Sequence, residues 1–177
     1  MKLYLLAEQL KKSETKNNRR MPDGTFVGVR FDADTKLKVK QVIKGLGLKK
    51  PINVDDDLHT TVIYSRKQLP NFKSGGMLKE SVTAKPTKFT LFSARDGNNA
   101  LVMELDSEFL TSRHKNIMKE HEAEYDWPSY KPHLTLSYDA GDFDVGKHTP
   151  SDYIDNLTIN EEYDEPLQLD WLVKNKS

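Results

Sequence analysis

Two short segments of this chain repeat one pattern, and that repetition limits the folds open to it. His59-Thr60-Thr61-Val62-Ile63-Tyr64 and His133-Leu134-Thr135-Leu136-Ser137-Tyr138 carry His, Thr, an aliphatic residue and Tyr at the same four offsets. Both are β-rich, so both read as strands. Strand side chains alternate between faces with a period of two, so His59 and Thr61 share one face, and His133 and Thr135 share one face of theirs. Val62, Tyr64, Leu136 and Tyr138 are expected on the reverse faces, packed behind. One strand then serves both core and site.

The surrounding sequence supplies strands and helices in alternation. Residues 3–12 fit a short helix, Ser13 to Arg20 is a basic loop, and Pro22-Asp23-Gly24 makes a turn. Thr25 to Phe31 reads as a strand and Asp34 to Leu46 as a helix. Leu37, Val39, Val42, Ile43 and Leu46 are expected on its apolar side, with Gly45 and Gly47 at its end. Strands are expected over Val82–Ala94 and Ala100–Leu105, joined by a hairpin at Arg95 to Asn99, and a helix over Asp106–Glu124. The last strands, Leu157–Ile159 and Leu167–Leu172, are expected to be separated by the acidic segment Glu161 to Glu165. The order is strand, helix, strand, twice over.

Length and charge remove several function classes. A chain of 177 residues suits one domain, 1–177, with residues 1–24 a flexible or accessory segment. Lys+Arg and Asp+Glu stand at 27 each, so no global positive field holds long nucleic acids. The absence of cysteine excludes disulfides, thiolate nucleophiles and cysteine-ligated zinc, and fits a reducing cytoplasm. The apolar stretch near Met1 is too short for a secretory core and no later run reaches membrane-span length. The chain is expected to act as a monomer.

The residue types in the paired triplets suit phosphoryl transfer between oxygens. A neutral imidazole removes a proton from the attacking hydroxyl while a protonated one delivers a proton to the leaving oxygen. The Thr61 and Thr135 hydroxyls can donate to non-bridging phosphate oxygens. No metal or other cofactor is demanded. A lone His-x-Thr is a common accident, but five histidines and twelve threonines in this chain give only about a third of one match by chance, so a pair with two further shared positions carries weight. His114 and His121 on the expected helix, and His148 in a loop, are treated as surface residues. Phe26, Phe89 and Phe92 read as core, and Trp127-Pro128 either borders a cleft or ends a helix.

These residues resemble the two-histidine (2H) phosphoesterase superfamily, and Pro132-His133-Leu134-Thr135-Leu136 is the most specific fragment. The resemblance implies a bilobal α+β fold, two antiparallel sheets around a central cleft with flanking helices and one triplet in each lobe. It makes His59 and His133 the acid/base pair and Thr61 and Thr135 the phosphate holders. Within the superfamily, the motif spacing and the stretch Tyr130 to Ser137 look most like phage anti-CBASS nucleases. That implies a cyclic di- or trinucleotide substrate, opened at a 3′–5′ bond by a ribose 2′-hydroxyl, in the host cytoplasm. It also implies contacts to a base from Trp171 and Glu165, although Trp171 equally fits plain packing with Leu167, Leu169 and Leu172. Two other readings stay open: a phosphodiesterase acting on RNA ends or 2′,3′-cyclic phosphates, and a nucleotide-sequestering protein that does no chemistry.

Overall fold

The computed structural model describes residues 24–93 and 96–167. The expectations for residues 3–20 and for Trp171 lie outside them. The described elements are β1 (Gly24–Phe31), α1 (Ala33–Leu46), α2 (Val54–Asp57), β2 (Thr60–Ser65), β3 (Gly76–Ser93), β4 (Asn99–Asp106), α3 (Glu108–Glu120), β5 (His133–Ser137) and β6 (Leu157–Leu167), with two single 3-10 turns before β6. The expected order of strands and helices holds from β1 to β5 with different boundaries and with α2 added, while β6 runs unbroken from the first of the two expected last strands to Leu167.

All strand pairs are antiparallel, in the order β1-β2-β5-β4-β3-β6, and β6 closes the ring by pairing with β1. Two separate sheets were the expectation; the six strands form one. The reason lies in β6 and in the β2–β5 seam. Strand β6 pairs with both β1 and β3, and β2 meets β5 at the single rung Thr60↔Leu134. Each seam joins what would otherwise be separate halves.

Strand β6 runs straight through Glu161–Glu165, which the acidic composition argues against. Its carboxylates find partners on neighbouring elements. Arg30 Nη1 lies 3.2 Å from Glu161 Oε1, and Arg113 grips both oxygens of the buried Glu162 at 2.8 and 2.9 Å. Paired in this way, the acidic side chains no longer repel within a half-buried strand.

Helix α1 starts at Asp32, whose side chain accepts the Thr35 N–H at 2.8 Å, and ends at Gly47 with φ 67°. Its buried residues are Thr35, Val39, Val42, Ile43 and Leu46, spaced as one helical face. Leu37, expected among them, points away and is 58% exposed. Thr35 takes its place because its hydroxyl accepts the Thr158 N–H of β6 at 2.9 Å. Helix α3 is capped by Ser107, which accepts the Leu110 N–H, and is shorter at both ends than the expected Asp106–Glu124.

The apolar residues divide into two groups. The larger contains Val27, Val29, Val62, Ile63, Met103, Leu134 and Leu136 from the strands, with Val39, Val42, Leu110 and Ile117 from α1 and α3. The smaller contains Phe26, Tyr64, Phe92, Ala100, Val102 and Leu167, with Tyr125, Trp127, Tyr138 and Tyr163 against it. In β1 the groups alternate: Val27, Val29 and Phe31 face the helices, while Phe26 and Gly28 take the other face. That second face carries the two histidines.

Candidate active site

A β-bulge interrupts each triplet strand just after its threonine. In β2, Val27 pairs with Ile63 and Gly28 with Thr61, which leaves Val62 as the extra residue. In β5, Leu101 pairs with Ser137 and Val102 with Thr135, which leaves Leu136 as the extra residue. A bulge shifts the alternation by one residue. Val62 and Leu136 do pack among the helix-side residues, as expected. Tyr64 and Tyr138 do not. Tyr64 pairs with Phe26, and both tyrosines pack in the smaller apolar group. The expectation for the tyrosines fails because strict period-two counting cannot register an inserted residue.

The rung Thr60↔Leu134 sets how the triplets meet. In an antiparallel pair, residues flanking a rung face each other on the opposite side of the sheet. His59 therefore lies against Thr135 and Thr61 against His133, giving a diagonal quartet of two imidazoles and two hydroxyls. Thr61 and Thr135 are each 6% exposed and the histidines are part-exposed.

The two imidazoles are held alike. His59 Nδ1 is 2.8 Å from the Asp57 carbonyl and His133 Nδ1 is 2.9 Å from the Lys131 carbonyl, two residues upstream in each case. A carbonyl oxygen only accepts, so Nδ1 carries the hydrogen in both rings. Each Nε2 is then a base when the ring is neutral and a proton donor when it is charged. An aromatic edge contact fixes each ring from the side. Phe26 meets His59 with centroids 5.8 Å apart at 71°, and Phe92 meets His133 at 5.4 Å and 88°. Phe26 and Phe92 are buried as expected, but on the site face; Phe89 lies in the helix-side core.

The two carbonyls that hold the rings are themselves fixed by local backbone. Asp57 ends the short helix α2, where its N–H bonds Asn53 O at 2.8 Å and the following Leu58 N–H bonds Val54 O at 3.3 Å. Lys131 precedes a proline, which restricts it to extended backbone, and Pro132 O accepts the Leu105 N–H of β4 at 2.8 Å.

Around the quartet, Tyr163 of β6 pairs with Gly28, which in turn pairs with Thr61. A Cβ at Gly28 would lie 2.9 Å from the Tyr163 hydroxyl and 3.0 Å from Phe26 Cε1, so only glycine lets these rings lie across the strand. Arg30 stacks 3.8 Å from the Tyr163 ring centroid. Glu165 pairs with Phe26, which sets it on the same face as His59's aromatic neighbour. Trp127 borders the site face, with its ring 5.8 Å from that of Tyr64. Among the described residues no group of three or more His, Asp or Glu side chains is placed to hold a metal ion.

His114 departs from its expected place on the surface. Half-buried, it bonds the Val62 carbonyl through Nδ1 at 2.7 Å and packs on Tyr130 and Tyr125, with ring centroids 4.2 and 4.7 Å away. Burial holds its pKa below the ordinary 6.5, partly opposed by the Val62 bond. His121 packs edge-on to Phe72, and His148 stacks on Phe143 and bonds the Tyr153 hydroxyl, so these two are also part-covered. Sequence reading missed His114, Tyr130 and Tyr163 at the site. Only Tyr130 gave a signal, through its place three residues before His133.

The family model described as anti-CBASS protein Acb1 matches residues 23–174. The anti-CBASS protein Acb1 of Vibrio phage KVP40 is 33% identical over 152 residues, covering 86% of this chain and 93% of that protein. That of Acinetobacter phage Ac42 is 34% identical over 150 residues, covering 84% and 93%. Among solved structures, E. coli LigT complexed with 3'-AMP superposes with a TM-score of 0.50 at 14% identity, covering 83% of this chain and 99% of that one.

Proposed function

The chain belongs to the anti-CBASS protein Acb1 family, and from that premise we propose that it is a metal-independent phosphodiesterase that opens cyclic di- or trinucleotide immune signals in the host cytoplasm. The observation that carries this reading is the matched pair of Nδ1 tethers on His59 and His133. It supports two imidazoles that leave Nε2 as the atom for proton transfer, beside Thr61 and Thr135, with the His133 Nε2 buried. One Nε2 takes the proton of a ribose 2′-hydroxyl as its oxygen bonds to the adjacent phosphorus. The bond from phosphorus to the 5′-oxygen breaks, and the other ring, protonated, gives that oxygen its proton. The product is a linear nucleotide ending in a 2′,3′-cyclic phosphate, which water opens in a second step with the proton roles reversed. The threonine hydroxyls donate to the non-bridging oxygens where charge grows.

Glu165, on the site face, and Trp171 contact a base in this reading. Aromatic stacking contributes about 1–3 kcal/mol per base, enough to hold a small nucleotide. The test is a substrate panel of cyclic dinucleotides, cyclic trinucleotides, RNA ends and a ring lacking the 2′-hydroxyl beside the scissile phosphate, assayed with a chelator present. Ring opening of the ribose forms alone supports the proposal. Cleavage of RNA ends in preference to rings moves the substrate, cleavage of the deoxy ring makes water the nucleophile, and binding without turnover makes the protein a sequestering one.

A further inference from the structure

We propose that Tyr130 is a positioning residue that acts through Thr61, with His114 as its support. This deepens, and rests on, the phosphodiesterase reading above. Thr61 lies between two weak points of β2: the Val62 bulge that follows it breaks the ladder to β1, and the Thr60 rung before it is the one that joins β2 to β5 among the described residues. Side chains take up the backbone there. The Tyr130 hydroxyl donates to Thr61 O at 2.7 Å, and His114 Nδ1 donates to Val62 O at 2.7 Å. The equivalent bulge in β5 is held by backbone instead, with the Ile52 N–H donating to Leu136 O at 2.9 Å.

Tyr130 is suited to a fixed donor role. Burial raises its pKa well above the usual tyrosine value, so the hydroxyl keeps its hydrogen across the working pH range. Its ring packs on His114 and lies 6.2 Å from Tyr125, and Tyr125 in turn contacts Trp127. The segment that carries Tyr130 also carries the second triplet. Lys131 O holds His133 Nδ1, and Pro132 O is tied to Leu105. Four consecutive residues therefore bind the Thr61 peptide at one end and orient His133 at the other. Tyr130 fixes one half of the quartet relative to the other across a seam with a single rung. It does so through the Thr61 carbonyl, one bond from the Cα that carries the phosphate-binding hydroxyl.

Tyr130→Phe keeps the ring and removes only the donor. Misplacing a reacting group by an ångström can cost about 100-fold, so the expected result is a fall in kcat of about 10- to 100-fold with little change in KM. The deciding measurement is a double-mutant cycle with Thr61→Val on ring opening. If Tyr130 acts through Thr61, Tyr130→Phe costs less than about twofold more in the Thr61→Val background. Losses that multiply, or a Tyr130→Phe enzyme with parental kcat, overturn the proposal. Amide hydrogen exchange supplies a readout independent of turnover. Tyr130→Phe is expected to speed exchange at Val62 and Ile63 while the melting temperature stays within a few degrees; unchanged exchange also overturns the proposal. Faster exchange in a protein that cleaves no member of the panel keeps the brace and removes the phosphodiesterase reading instead.

Discussion

Replacing Arg113 with methionine tests the account of how an acidic strand is kept inside this sheet. Glu162 is 2% exposed, and it accepts two bonds from Arg113 at 2.8 and 2.9 Å and one from the Gly75 N–H at 2.9 Å. Arg113→Met fills much of the same space, removes both charge-assisted bonds, and leaves a buried carboxylate with one neutral donor. Breaking a buried pair from one side costs about 3–5 kcal/mol. The Arg113 side chain is 29% exposed, so water can reach part of the site and the lower figure, about 3 kcal/mol, is expected. At about 2–4 °C per kcal/mol for a chain of this size, the melting temperature falls by about 6–12 °C. Urea unfolding at pH 7 with unchanged m-value measures the loss directly. The companion variant Arg113→Met/Glu162→Leu removes both charges and is expected to recover most of it. A single variant that loses under about 1 kcal/mol, as an exposed pair would, refutes the reasoning. So does a double variant no more stable than the single.

Three further outcomes follow from the site. His59→Ala and His133→Ala should each lower ring-opening rates by about 100- to 10,000-fold while circular dichroism melting stays near that of the parent; a large loss of melting temperature would assign the rings a structural role. Gly28→Ala should cost about 1–3 kcal/mol and raise KM, since its Cβ would push the Tyr163 and Phe26 rings off the strand; a parental KM in a folded variant counts against Tyr163 bordering the substrate. The depressed pKa of His114 means that, as pH falls below 6.5, the unfolded chain takes up a proton that the folded one resists. This stability is fully present above that pH and is lost as pH falls toward the folded value, so His114→Gln should flatten the slope of melting temperature between pH 7 and 5.

Much of this was legible in the sequence because it depends on local spacing. The paired triplets, the strand–helix order, and the α1 face from Val39 to Leu46 are short-range patterns. What could not be read depends on register between distant segments. The bulges at Val62 and Leu136 arise from pairing with β1 and β4, and they alone turn Tyr64 and Tyr138 toward the site. The acidic run became a strand because Arg30 and Arg113 reach it from β1 and α3. His114 looked like a surface helix residue, since nothing near it in sequence announces the Val62 carbonyl it meets.

Closing the sheet into a ring also decides how this protein meets other chains and its own ligand. Each of the six described strands has a neighbour on both sides, so among the described residues the ring leaves a strand of another molecule little place to add except at the β2–β5 seam, which one rung holds. Such addition must wait for the ring to part, and it parts most easily where least holds it. That place is the single rung between Thr60 and Leu134, which the two triplets straddle. A ligand gripped by both triplets would therefore act as a clasp. It would raise the resistance of the whole ring to opening with the logarithm of ligand concentration above Kd, so protection from self-association should rise with ligand concentration as melting temperature does.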